Sequence, residues 1–401
     1  QQSEMKIQRS IQPALLGAAL LLAACGGAES GEQTAGGRTA AATGDSAAAA
    51  PGETAAAPAP AGPSVNDQGP KVDVPPNELG EIMVLEYHRL GNNEGEFIRK
   101  AENFRKDLQA LYENGFRPVT MRQVLEGDID IPAGTTPVVF TIDDSSLGQF
   151  YYLPDGRIDP NTMMGMWAAF QERNPGWHHG AVWCILPAAG HPSNFFSEKP
   201  DREIPREQRE ANIRKKVTYL VENRHEVCNH TLFHARLDRA GSDAKVQEYI
   251  GRGEDSIKVY TPADYDIVTF ALPLGMWPKT RSLAWAGSWN GKPYENKVVL
   301  EVSGGPNESP FDVKWNGRSV NRFIVAPNHL ERQLEAYRKN PSRRYVSDGD
   351  PNTISVPQGQ EGRVDTRRWQ GKTVKAVAAA APAAPAGQPA AAGQQPAGAT
   401  R

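Results

Sequence analysis

The feature that most constrains this chain is a regular alternation, from about Glu81 to Gly275, of short apolar runs with segments of helical spacing. "TPVVFTID", residues 136–143, is a nearly continuous apolar run of strand length, the pattern of a strand covered on both faces. "EIMVLEYHRLG" reads as an earlier strand, with Met83 and Leu85 on one face and Val84 and Glu86 on the other. "GAVWCILP", "HEVCNHT" and "DIVTFALPLG" read as later strands. Between them, Phe104, Leu108 and Leu111 recur at helical spacing before Gly115, and "MRQVLEGD", "PNTMMGMWAAFQERNPG", "PREQREANIRKKVTYLVENRHEV" and "SDAKVQEYIGRGEDSIKVY" read as further helices. This alternation predicts an α/β fold with a mostly parallel sheet and helices outside, either an open doubly wound sheet or a barrel. Beyond Gly275 only "NKVVLEV" and "RFIVA" read as strands. In both architectures functional residues lie at the carboxyl ends of strands, where Asp143 and Asp144 fall.

The ends of the chain have a different character. Lys6 and Arg9 precede an apolar run from Ala14 to Ala24 that is too short to span a membrane, and Met5 reads as the initiator of an export signal. Leu22, Ala23 and Ala24 before Cys25 resemble a bacterial lipobox, so Cys25 is expected to carry lipid and anchor the chain to a membrane of the cell envelope. Gly26, not Asp, follows it, which resembles an outer-membrane destination in a cell with two membranes. The next stretch is small, polar and proline-rich, and reads as a disordered tether. The expected organisation is a signal peptide over 1–25, a tether over 26–79, one folded domain over 80–360 and a low-complexity tail over 361–401. A net charge of −3 gives no reason to expect a nucleic-acid partner. Cys184 and Cys228 sit in or beside strands and are expected to be buried free thiols.

Two adjacent carboxylates at a strand end repel, and burying them requires a cation or hydrogen-bond donors. "NHTLFH" offers such a cation a place. His230 and His234 are four apart, and a helical turn starting at Asn229 would put both imidazoles on one face, a spacing that suits two ligands of a Zn2+-like ion. Thr231 stands where a zinc metalloprotease would carry its Glu base, which excludes that class. Asp144 can supply a third ligand, leaving Asp143 beside the metal-bound water as a base.

"FTIDD", "NHTLFH" and "FALPLG", in this order and at this separation, resemble the first three motifs of the NodB-type polysaccharide deacetylases. A looser echo continues to about Asp350 in "SPFDVKW" and "RRYVSDGDP". The resemblance implies an irregular (β/α)7 barrel and hydrolytic removal of N-acetyl groups from an envelope or extracellular polysaccharide. It implies Asp143 as general base and Asp144, His230 and His234 as ligands of one divalent ion, Zn2+ first and Co2+ or Ni2+ as alternatives. Pro273, Leu274 and Gly275 would form one wall of the substrate site, and Thr231 would orient the turn between the histidines. His88, at the end of the first strand, either faces the same site as a catalytic group or joins a strand-end hydrogen-bond network.

The chain departs from the family pattern in three places. Ala271 replaces the Arg that opens the third motif, and Arg322 or Arg281 are the candidates to supply its charge. Leu274 replaces the aromatic after the motif's proline. The late Leu-x-His motif is missing, and His329 is the only late histidine, with a helix start as its other role. Two further readings fit the same residues: a glycan-binding lipoprotein that kept the fold without catalysis, and an O-acetyl esterase using the same site. His178 and His179 follow a Pro-Gly turn and are expected in solvent. Trp277, Trp285, Trp289 and Trp315 are expected to pack under loops, the other use being sugar stacking. Asp348 and Asp350 are expected in a plain turn.

Overall fold

A computed structural model describes residues 69–188, 195–196 and 205–378. Cys25, the signal sequence, nearly all of the tether and the tail beyond residue 378 lie outside the described residues. Among the described residues no helix is long and apolar enough to cross a membrane.

The strands read from the sequence close into a barrel. Its seven members are β1 (Met83–Tyr87), β2 (Thr136–Asp143), β3 (Val182–Ile185), β4 (Glu226–Asn229), β5 (Thr269–Ala271), β6 (Val298–Gly304) and β7 (Val320–Ile324). Each pairs in parallel with the next, and β7 returns to β1. The irregularity lies at β6 and β7, where the register shifts between Leu300 and Gly304. An eighth strand, Phe116–Pro118, pairs with β2 outside the closed ring. The helices α1 (Ala101–Glu113), α2 (Met121–Glu126), α3 (Met163–Arg173), α4 (Arg206–Glu222), α5 (Asp243–Lys258) and α6 (His329–Lys339) lie between strands or follow them.

The period-2 alternation of a strand sorts its side chains into two layers. Met83, Leu85, Val138, Phe140, Ile142, Trp183 and Val227 pack outward against Phe104, Leu108 and Trp167 of the helices. Val84, Val139, Val182, Cys184, Cys228, Ala271, Leu300 and Val320 form the inner cluster. Closure therefore fixes which alternate residues face the interior: Glu86 follows Val84, Asp143 follows Val139, His230 follows Cys228 and Arg322 follows Val320. Four polar groups are thus delivered to one end of the barrel by local strand geometry alone.

Three expectations are corrected here. Cys184 and Cys228 are not free thiols but form a disulfide, because the closed barrel makes them direct register partners on β3 and β4, both facing inward, with Cα atoms 4.2 Å apart. The folded domain begins before residue 80: Val72 N donates to Gly134 O at 2.8 Å, and Glu78 is buried. It also continues past residue 360. Trp369 is buried, donates to Pro310 O at 3.0 Å and meets Phe311 edge-on, and strand Thr373–Val377 pairs with Thr353–Pro357. Trp369 and Val364 dock this otherwise polar segment on the inner cluster, Arg363 pairs with Asp312, and polar composition hid it.

The amino-terminal end of the barrel holds a buried acid. Glu78 accepts from Tyr345 Oη at 3.0 Å and from Ser355 N at 2.8 Å. Burial, with Asp348 second, pushes its carboxyl up from 4.5 to about 8. Between those values the native state holds a proton that the unfolded chain has lost, so this group's contribution to stability falls as pH rises through the window. The melting temperature of Glu78→Gln relative to the parent is expected to improve by several degrees between about pH 5 and about pH 8.5. A constant gap across that range would show that Glu78 is ionised in the fold.

Candidate active site

Asp143 ends β2 facing the barrel interior and is fully buried. The chain then turns sharply: Asp144 and Ser145 adopt φ of 78° and 49°, a left-handed conformation that Asp tolerates better than most residues. The turn is fastened by Gln149, whose Nε2 donates to Asp143 O at 2.6 Å and also to His88 O, and by Leu186 N donating to Ser145 Oγ at 3.1 Å. Adjacent carboxylates are thereby split, one inside the barrel and one at its mouth.

His230 stands just beyond β4, also fully buried. Its Nδ1 lies 2.9 Å from Ala271 O. A carbonyl only accepts, so Nδ1 carries the proton and Nε2 presents its lone pair to the site. Ala271, which stands where the motif it resembles has Arg, thus faces the site through its backbone. The expected helical turn from Asn229 is not formed, because Thr231 has φ of 64° and His234 φ of 54°. A tight turn replaces it: Asn229 Oδ1 accepts from Thr231 N at 3.0 Å, and Thr231 Oγ1 accepts from Ala235 N at 3.1 Å. Thr231 does orient the segment between the histidines. The two rings still meet, with centroids 4.9 Å apart.

His230 Nε2 and His234 Nε2 lie 3.5 and 3.7 Å from the same atom, Asp144 Oδ1. Ligand atoms of a tetrahedral ion bound at about 2.1 Å stand roughly 3.4 Å apart, so this spacing fits. His230 Nε2 and Asp144 Oδ1 are both buried with no hydrogen-bond partner, which is costly without an ion. The donor set fits one divalent cation.

The missing charge of the third motif comes from β7, two strands on from β5 in the ring. Arg322 of β7, fully buried, donates from Nη1 to Asp143 Oδ2 at 2.8 Å and to Thr141 Oγ1 at 3.1 Å. Its Nε also donates to Glu301 O and lies 3.0 Å from Glu86 Oε2. Arg281 is instead stacked 3.7 Å over Trp277. Arg322 was one of two candidates from the sequence; Glu86 was missed altogether. The signal for Glu86 was its alternation with Val84 on β1, which places it inside once the barrel is known to close.

His88 joins the site. Its Nε2 is 3.5 Å from Glu86 Oε1, its ring packs edge-on against Phe97, and it contributes with Glu86 and Asp143 to three donor atoms within 4.8 Å of one another. Pro273–Gly275 forms a tight turn after β5, with Leu274 exposed at φ of 57° and Gly275 at φ of 64°. A Cβ on Gly275 would stand 3.0 Å from Val302. His329 does not join: it opens α6, and its Nδ1 lies 3.1 Å from Ile324 O.

Electrostatics separate the roles. Burial pushes the Asp143 carboxyl up, but Arg322, then His230 and His88, more than offset it and hold the group below the usual range. Asp144 is also depressed, burial being outweighed by His230. Burial would lower His230, and Asp143 and Asp144 raise it instead. His234 falls to about 4 through burial and the nearby His230. Burial also lowers His88, against the pull of Asp143 and Asp144. Glu86 rises to about 8 through burial even beside Arg322.

No family model matches the sequence, and no curated protein matches it. Among solved structures it is similar to a Streptococcus pyogenes deacetylase, PplD, in complex with acetate, at 17% identity over 64% of this chain and 97% of that one, with a TM-score of 0.44. It is similar to IcaB from Ammonifex degensii at 17% identity over 64% and 96%, with a TM-score of 0.43. A putative polysaccharide deacetylase from Bacillus anthracis matches at 13% identity over 64% and 68%, with a TM-score of 0.43.

The remaining residues singled out in the sequence lie outside this constellation. His179 is buried, not solvated, because Asp130 O at 3.0 Å and Gln123 Nε2 at 3.2 Å engage both ring nitrogens. Asp348 and Asp350 form the expected turn, Asp350 N donating to Asp348 Oδ1 at 2.9 Å, with Lys375 nearby. Trp277 donates to both oxygens of Glu301 at 3.0 Å, a packing role.

Proposed function

We propose that this chain is a zinc-dependent hydrolase that removes N-acetyl groups from an envelope or extracellular polysaccharide. The observation that carries the reading is the split aspartate pair: Asp144 shared by His230 and His234, and Asp143 fixed by Arg322 inside the barrel. Asp144, His230 and His234 would hold the ion. An ion bound there supplies Lewis acidity, polarising the amide carbonyl and lowering the pKa of water. Asp143, kept ionised by Arg322, takes the proton of the attacking water. His88, on the neighbouring strand end, is placed to relay the proton taken by Asp143 to the leaving amine of the sugar. Pro273, Leu274 and Gly275 would line one side of the bound glycan.

The motives for a non-catalytic reading were the missing Arg at Ala271 and the missing late His; Arg322 supplies the charge by another route, and His88 is the candidate for the acid's task. Export and lipid anchoring through Cys25 belong to the same proposal and rest on the lipobox-like sequence. The test is acetate release by the full chain, purified in detergent, from N-acetylated glucosamine oligomers and O-acetylated glycans side by side. Release from the amide substrates, lost on chelation and restored by Zn2+, is the expected result. Release from the esters alone would move the substrate to O-acetyl groups. No release from either, with the ion bound, would sink the hydrolase reading.

A further inference from the structure

Glu86 has no assigned task, yet it is a fully enclosed carboxyl at the centre of the charge cluster. With His88 and Asp143 it could be read as a second cation site. The charges argue against that. Arg322 and one divalent ion already match or exceed the charge of Asp143 and Asp144 whichever form Glu86 takes, and a second ion would leave at least two positive charges uncompensated in a buried cluster. The guanidinium, 3.0 Å from Glu86 Oε2 and 2.8 Å from Asp143 Oδ2, occupies that role.

How Arg322 is shared is informative. An unconstrained Arg–carboxylate pair tends to close into a two-pronged arrangement that engages both oxygens. Here only Nη1 reaches Asp143, and only through Oδ2. Nη2 has no hydrogen-bond partner, and neither has Asp143 Oδ1, although both atoms are buried. The Nε edge faces the other way: its hydrogen goes to Glu301 O, and Glu86 Oε2 stands 3.0 Å from Nε as an ion-pair contact, with neither Glu86 oxygen hydrogen-bonded.

We infer that Glu86 is a positioning residue that holds Arg322 by its Nε edge, so that the guanidinium engages one oxygen of Asp143 and leaves Oδ1 free to receive a proton. The inference rests on the proposed role of Asp143 as base. Without Glu86, Nη2 swings onto Oδ1 and the base is blocked by its own counter-ion. Glu86 touches neither substrate nor ion in this scheme and acts through Arg322.

The test is a double-mutant cycle with Glu86→Leu and Arg322→Leu, together with a crystal structure of Glu86→Leu. Glu86→Leu is expected to lower kcat by about 10- to 100-fold, with KM within about 2-fold and bound metal unchanged. In the Arg322→Leu background the same change is expected to cost nothing more. The crystal structure is expected to show Arg322 two-pronged on Asp143. Additive losses, an unchanged kcat, or an Arg322 that stays on one oxygen in Glu86→Leu would each overturn the inference. The structure reads the arginine even if the parent releases no acetate, so failure of the deacetylase reading and failure of this one give different results.

Discussion

Replacing Asp143 by Asn is expected to lower acetate release by about 10³-fold while leaving bound metal at the parent level. The substitution keeps the shape of the side chain and an oxygen that can still accept from Arg322 Nη1, at present 2.8 Å away. It removes the lone pair that takes the water's proton, because an amide at this position is not a base at any working pH. Loss of the Asp143 charge removes a repulsion that keeps Glu86 protonated, so Glu86 can ionise beside Arg322 and the variant avoids an isolated buried cation, which would cost several kcal/mol. Metal analysis and a melting curve on the same preparation separate the alternatives. Loss of metal together with activity would make Asp143 a ligand. Activity within about tenfold of the parent would remove it from the proton-transfer step.

How much of this site was legible in the sequence depends on how far apart its parts lie along the chain. "FTIDD" and "NHTLFH" each carry two functional groups within a few residues, so strand-end placement and spacing were enough to pair Asp143 with Asp144 and His230 with His234. The local conformation between the histidines was misread, because four-residue spacing is also compatible with a turn through two left-handed residues, Thr231 and His234. Glu86 and Arg322 were harder. Both alternate with valines, Val84 and Val320, but the last strand was read only from Arg322 onward, and alternation says only which residues share a face. Which face is the interior is settled by closure of β7 onto β1, and an open sheet was equally compatible with the pattern. The disulfide was missed for the same reason: the register partnership of Cys184 and Cys228 is a property of the closed barrel. His179 and Trp369 show the converse error, where polar surroundings in sequence concealed burial in the fold.

His230→Ala and His234→Ala are expected to differ, although both remove a candidate ligand. The His230 side chain is 1% exposed and its ring is fixed through Nδ1 on Ala271 O, whereas the His234 side chain is 28% exposed on a tight turn. Truncating His230 leaves the Ala271 carbonyl and Asp144 without their partner in a closed space, a cost of about 1–3 kcal/mol in addition to the lost ligand. Its metal content is expected to fall from about one per chain to near zero, and activity to background. Truncating His234 opens a position that solvent can reach. Excess Zn2+ with added imidazole is expected to restore part of its activity, because a free imidazole can enter there and not at the buried His230 position. Rescue of both variants would mean that the His230 side chain is reached by solvent in the protein in solution. Rescue of neither, with the parent holding its ion, would assign His234 an orienting task as well as a ligand's. A parent without metal would leave the aspartate pair with Arg322 as its one fixed counter-charge and would remove the Lewis acid on which the proposed reaction depends.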